Sequence, residues 1–139
     1  LFIDMNIKQL SVFIENKSGA LLRVFELLKE ANIQLVATTI ADTMDYGICR
    51  IICNEPQRAY DMLKGAGVSV AVNDVFAVEL DNRPGSAADA ISLFAKEGID
   101  LTYLYTFLFQ GKGILIFRTN DRPRAQEIIE KNGLKDVTL

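Results

Sequence analysis

DNRPGSAADA (residues 81–90) is the stretch of this chain whose residue types best suit binding chemistry. Asn82 offers both a donor and an acceptor, Pro84 fixes one turn angle, and Gly85 gives the backbone freedom where a helix begins. Ser86, Ala87 and Ala88 follow, all small. A helix start presents unpaired N–H groups and a partial positive charge. With small side chains there, a carboxylate or another anion can reach those groups. The same residues also build a plain capped turn, so residue type alone leaves binding and structure both open.

Other chemistry is poorly supplied. The chain has no histidine, which removes the commonest general base and the commonest metal ligand. No Ser/His/Asp set, metal-ligand spacing or Gly-Lys-Ser/Thr phosphate loop is visible, and Asp81 and Asp100 are lone carboxylates. The expectation is a non-enzyme with no catalytic residue, metal or cofactor. Cys49 and Cys53, if they share a strand, point to one face about 13 Å apart, too far for a disulfide. Read as buried thiols, with no secretory signal visible, they suggest a cytoplasmic protein. A net charge of −3 argues against a nucleic-acid or anionic-membrane surface. The apolar run LTYLYTFLFQGKGILIF (residues 101–117) is broken at Gln110-Gly111-Lys112-Gly113, so it reads as a hairpin and not a membrane span.

The elements that position the turn occur twice. At an offset of 66 residues, ENKSGALLRVFELLKEANIQL (residues 15–35) falls on DNRPGSAADAISLFAKEGIDL (residues 81–101). Asn16 meets Asn82, Gly19 meets Gly85, Gly47-Ile48 meets Gly113-Ile114, and Arg58-Ala59 meets Arg124-Ala125. One offset kept through so many glycines and turn polars is a duplicated unit. The boundary falls near Val72-Asn73-Asp74, giving units 1–72 and 73–139.

Each unit reads β-α-β-β-α-β, the ferredoxin-like order. In the first, Ile7 to Ile14 alternates as a half-buried strand, and Ala20 to Ala31 is apolar at helical spacing. Ile33 to Ile40 and Gly47 to Cys53 are strands joined by a turn over Asp42 to Tyr46. Asn54 is expected to cap a helix with Pro56 in its first turn, ending near Gly65 or Gly67, before a strand over Val68 to Val72. The second unit gives strand Val75 to Leu80, helix Ser86 to Glu97 and strand Ile99 to Phe109. Strand Gly113 to Thr119, helix Arg122 to Lys131 (capped by Asn120 or Asp121) and strand Leu134 to Leu139 complete it.

A unit of this length and order, with Asn82-Arg83-Pro84-Gly85 after its first strand and Gly98-Ile99-Asp100 opening its second, resembles an ACT domain. The first unit carries Asn16-Lys17-Ser18-Gly19 and Asn32-Ile33-Gln34 at the same places, so the resemblance is to a tandem pair over nearly the whole chain. It implies a regulatory module of amino-acid metabolism that binds a free amino acid between two units packed side by side. Carried over, Asn16, Gly19, Ala20 and Leu21 would face Asp100, and Asn82, Gly85, Ser86 and Ala87 would face Gln34. Helix-start N–H groups suit an α-carboxylate and Asp100 suits an α-ammonium. Ser18 stands where the family has Pro, and position 34 is Gln where Asn is common, so the two sites are expected to be unequal. The preferred site is the one with Asp100.

Three rivals are weighed. An RNA-recognition domain shares the strand order, but KGILIF (residues 112–117) places Ile114 and Ile116 where base-stacking aromatics belong. An enzyme lacks a visible site. A non-ligand-binding oligomerisation module draws on Tyr103, Tyr105, Phe107 and Phe109, which share one strand face and form either core or an interface with a second copy. The resulting expectation is two α+β ferredoxin-like units forming one eight-stranded sheet with helices on one face. Its uncovered face would be closed by a homodimer. With no catalytic domain on the chain, the signal would pass to a separate enzyme.

Overall fold

The structure, a computed structural model, describes residues 6–15, 17–42, 46–137 and 139. Its elements run β1 (Asn6–Glu15), α1 (Ser18–Glu30), β2 (Leu35–Asp42), β3 (Tyr46–Cys53), α2 (Pro56–Gly65), β4 (Ser69–Leu80), α3 (Ser86–Ala95), β5 (Leu101–Phe109), β6 (Lys112–Thr119) and α4 (Arg122–Lys131). Among the described residues they divide into two compact units, the first of residues 8–73 with 139 and the second of residues 6–7 with 74–137.

In the first unit the strand order is β2-β3-β1-β4, with β1 and β2 both antiparallel to β3. Leu10, Val12 and Ile14 of β1 and Cys49, Ile51 and Cys53 of β3 share one face, where Val24 and Leu28 of α1 and Ala59 and Leu63 of α2 close over them. The two thiols thus sit on the same face in the core, as free cysteines. Burial pushes the Cys49 thiol up to about 11. In the second unit the order is β4-β6-β5, again antiparallel. Phe76, Val78, Leu115 and Phe117 meet Ala90 and Phe94 of α3 and Ala125, Ile128 and Ile129 of α4. The Phe117 ring lies 4.9 Å from Phe94 and 5.4 Å from Phe76, centroid to centroid, a range favourable for aromatic pairs.

Among the described residues there are six strands, not the expected eight. One of the two missing strands is lost by fusion. Val68–Val72 and Val75–Leu80, expected as separate strands, are one continuous strand, β4. Asn73 and Asp74 do not turn; their side chains are tied while the backbone runs straight on. Ser11 Oγ donates to Asn73 Oδ1 (2.5 Å), and Arg122 pairs with Asp74 (3.1 Å). The last expected strand, Leu134–Leu139, shrinks to a single bridge between Asp136 and Val78. The Glu79 N–H donates to the Lys135 carbonyl and the Val137 N–H to the Ala77 carbonyl.

All four helices stop by one device. A residue with positive φ (Asn32 57°, Gly67 82°, Gly98 71°, Gly133 63°) is followed by an apolar residue. The N–H groups of Ile33, Val68, Ile99 and Leu134 then return to the carbonyls of Leu28, Leu63, Phe94 and Ile129. This is the left-handed helix stop with its hydrophobic contact. A repeated arginine seals α1 and α3: Arg58 donates to the Ala31 carbonyl (2.5 Å) and Arg124 to the Glu97 carbonyl (3.0 Å). Asp121 caps α4 as expected, accepting from the Arg124 N–H (3.3 Å). Asn54 does not cap α2. Its side chain instead accepts from the Gln34 N–H (3.0 Å), and its own N–H donates to the Gln34 carbonyl (3.1 Å), clamping the opening of β2.

Candidate functional site

The two turns are built differently. In the second unit Gly85 is the residue before α3, at φ 87°, a conformation that L side chains rarely adopt. Pro84 precedes it, and neither Asn82 nor any other side chain caps the helix. In the first unit Lys17 takes the cap position and the helix begins at Ser18, so Gly19 lies inside α1 without a positive φ. Asn16 lies outside the described residues. Neither cap residue bonds the helix through its side chain, so at both starts the first N–H groups have no side-chain cap.

A groove flanks each helix start. In the first unit it measures about 380 Å³ and in the second about 310 Å³. Nine of the ten residues lining the first have their counterpart, 66 residues on, lining the second. Ile14, Glu15, Ala20, Val24 and Gly67–Ser69 thus correspond to Leu80, Asp81, Ser86, Ala90 and Gly133–Lys135. The groove is therefore a product of the repeated fold: the end of a unit's first strand, the start of its first helix and the turn after its second helix. A further recess of about 320 Å³ lies in the second unit, where Asn82, Gly85, Ser86 and Ala87 meet Thr106, Phe107 and Leu108 of β5.

The electrostatics differ between the turns. In the second, Arg83 is bound to Asp89 (2.8 Å) and lies 3.8 Å from Asp81; the Asp89 hydrogen bond, first of all, raises its pKa. In the first, Lys17 pairs with Glu15 (2.9 Å), and that hydrogen bond holds the Glu15 carboxyl below its ordinary range. Asp89 has Arg23 as its counterpart, which donates to the Ala66 carbonyl (2.7 Å).

The structure thus brings Asn82, Gly85, Ser86 and Ala87 together at one recess and places Ala20 at the first groove. Gly19 is exposed and Leu21 half-buried on α1, while Pro84 is exposed in its turn. Gln34 and Asp100 are exposed and are not among the residues lining these three recesses. The Gln34 amide folds onto the Leu35 carbonyl (3.2 Å). Sequence reasoning missed the groove residues Arg23, Phe13 and Tyr46, and the repeat itself held the signal: at these positions the two copies differ in charge or polarity. Tyr103, Tyr105, Phe107 and Phe109 are half-buried on one face of β5, while Leu104 and Leu108 on the other are 41% and 73% exposed. Among the described residues no cluster of three or more Cys, Asp or Glu is placed to hold a metal ion, and no helix is long and apolar enough to cross a membrane.

A family described as an ACT domain pair matches residues 5–138. A solved protein of Bacteroides thetaiotaomicron, BT0572, superimposes with a TM-score of 0.89 at 34% identity, over 94% of this chain and 91% of that one. The ligand-free regulatory subunit of aspartate kinase from Thermus thermophilus superimposes at 0.64 with 15% identity, over 94% and 95%. The corresponding subunit from Thermus flavus does so at 0.60 with 14% identity, over 92% and 93%. No curated protein sequence matches the chain.

Proposed function

Since the chain belongs to the ACT domain pair family, we propose that it is a regulatory protein that binds a free amino acid at its helix-start turns and modulates a separate enzyme. The observation that carries this is the groove that the fold builds beside the start of α1 and again beside the start of α3. A free amino acid needs donors for its carboxylate, an acceptor for its ammonium and a wall for its side chain. Uncapped N–H groups, carboxylates and aliphatic residues all lie at these turns. The proposed contact residues are Asn16, Ser18, Gly19, Ala20 and Leu21 in the first unit and Asn82, Pro84, Gly85, Ser86 and Ala87 in the second. Gln34 and Asp100 complete the set, Asp100 as acceptor for the ammonium. The aspartate kinase regulatory subunits that share the fold support an enzyme as the regulated partner.

A second copy of the chain is the proposed cover for β5. This strand ends the order β4-β6-β5, carries no charged residue and exposes Leu104 and Leu108, and an uncharged edge of this kind invites pairing. Sedimentation of the wild type against Leu108→Lys reads this: a dimer that the substitution dissociates is expected, and a wild-type monomer removes it.

The test of amino-acid binding is thermal unfolding of the chain with each common free amino acid at millimolar concentration. A ligand at a hundred times its dissociation constant adds about 2.7 kcal/mol. One amino acid is expected to raise the midpoint, and Asp100→Ala or Asn16→Ala to abolish the rise. No rise with any amino acid would refute the sensor.

A further inference from the structure

Among the asparagines of this chain only Asn132 is followed by glycine. Such a pair is prone to a reaction that needs no reagent but water. The glycine backbone nitrogen attacks the side-chain carbon Cγ, its proton leaves with the amide NH₂ as ammonia, and a five-membered imide closes. Water then opens either C–N bond of the ring. Cleavage at Cγ gives aspartate. Cleavage at the main-chain carbonyl gives isoaspartate, whose backbone runs through the side chain and is longer by a carbon. Glycine favours the attack because no side chain crowds its nitrogen.

Both reacting groups are held at the end of α4. Asn132 follows the helix at φ −97° and ψ 4°. Its Nδ2 donates to the Ile128 carbonyl (2.8 Å), so the leaving group is tied back onto the helix. The nucleophile, the Gly133 N–H, donates to the Glu130 carbonyl (3.2 Å), with Gly133 at φ 63°. The Leu134 N–H returns to the Ile129 carbonyl (3.0 Å), and the Leu134 side chain packs on the second unit's core. Ring closure turns the Asn132 ψ out of its helical value, which pulls all three donors from their carbonyls. The reaction therefore passes through an opening of the last turn of α4. The first unit carries the same stop without the chemistry: Gly67 has φ 82° and Val68 returns to Leu63 (3.0 Å), but residue 66 is alanine.

We propose that Asn132 is a deamidation site of this protein, gated by that opening, and that conversion releases the segment Leu134–Val137 from β4. Aspartate puts a carboxylate where Nδ2 donated, facing the Ile128 carbonyl at a helix C-terminus, where negative charge is disfavoured. Isoaspartate lengthens the backbone before Gly133, so the Gly133 and Leu134 N–H groups lose register with their carbonyls. The following residues depend on that register. The Lys135 carbonyl accepts from the Glu79 N–H (2.8 Å), the Val137 N–H donates to Ala77 (3.1 Å), and Asp136 bridges Val78. Gly133, Leu134 and Lys135 also line the second unit's groove, so the modification reshapes that groove.

The experiment keeps the full chain folded at neutral pH beside the same chain unfolded in urea. Peptide mass spectrometry follows the conversion of amide to acid, and chromatography separates aspartate from isoaspartate. In the folded chain Asn132 is expected to convert before any other asparagine, about tenfold or more slowly than in urea, because opening costs free energy. Leu134→Ala, which removes the packing that holds the stop, is expected to speed folded-state conversion about tenfold and leave the rate in urea unchanged. Circular dichroism checks that this variant is folded, and Leu134→Val is expected to act in the same direction, less strongly. Asn132→Asp is expected to speed hydrogen exchange at the Leu134 and Val137 amides about fivefold or more, with Val68 unchanged. Conversion as fast in the folded chain as in urea, or unmoved by both Leu134 variants, overturns the gate. No conversion at Asn132 in the folded chain, or earlier conversion at another asparagine, overturns the site. Unchanged exchange in Asn132→Asp and in the isoaspartate fraction overturns the release.

Discussion

The segment Gly98-Ile99-Asp100, which carries part of the family resemblance, separates into structural and chemical residues, and Gly98→Ala tests the division. Gly98 ends α3 at φ 71°, and Ile99, 6% exposed, returns its N–H to the Phe94 carbonyl (3.1 Å). A Cβ at Gly98 would meet nothing within 4 Å. The cost of alanine is therefore backbone strain alone, about 1–2 kcal/mol for an L residue in the left-handed region. For a unit of this size, each kcal/mol lowers the midpoint by about 4–8 °C if the unit melts independently. Differential scanning calorimetry and urea unfolding of Gly98→Ala measure the effect. Gly98→Asn should recover part of it, because Asn32 holds the equivalent position in the first unit at φ 57°. Asp100→Ala, at an exposed position, should change stability by about 0.5 kcal/mol or less. A Gly98→Ala protein as stable as the wild type would refute the left-handed stop. A strongly destabilised Asp100→Ala would make Asp100 structural too.

Phe94→Ala should cost about 3–5 kcal/mol, since the ring is fully buried against Phe117; chemical denaturation reads it, and a loss under about 1 kcal/mol would contradict the packing. Asp121→Ala should cost about 1 kcal/mol through the lost α4 cap, whereas Asn54→Ala should destabilise the β2 opening without shortening α2, as amide exchange would show. Cys49 should resist thiol reagents in the native state well past the ordinary thiol range. Its folded pKa is raised above the unfolded value of 9.0, so the protonated thiol contributes stability that is complete below about pH 9 and lost as pH climbs through about 11. Rapid native labelling at neutral pH would place the thiol at the surface. Arg83→Ala should change stability by less than about 1 kcal/mol because its ion pairs are exposed.

The Arg58-Ala59 and Arg124-Ala125 matches, visible early as repeat markers, acquire their reason only in three dimensions. The arginines seal the ends of α1 and α3, and the alanines are fully buried. Asn54 illustrates the opposite case. Its type and place just before Pro56 fit a cap, but the backbone of Gln34 competes for its side chain, and no local pattern contains that partner. Asn73-Asp74 reads locally as a boundary between two strands; Ser11 and Arg122, far away in sequence, tie both side chains while the strand runs through.

What the sequence by itself determined about this protein is local or periodic: two copies of one unit, the order of their elements, the helix stops and the small-residue helix start. Periodicity and turn chemistry act between neighbours along the chain, so they are written in its order. Tertiary structure alone decided that the described residues form six strands, that β4 is continuous, and that Arg23 of α1 reaches the Ala66 carbonyl at the end of α2. Those outcomes depend on side chains brought together from separate elements, where the partner that satisfies a polar group or lines a wall lies tens of residues away.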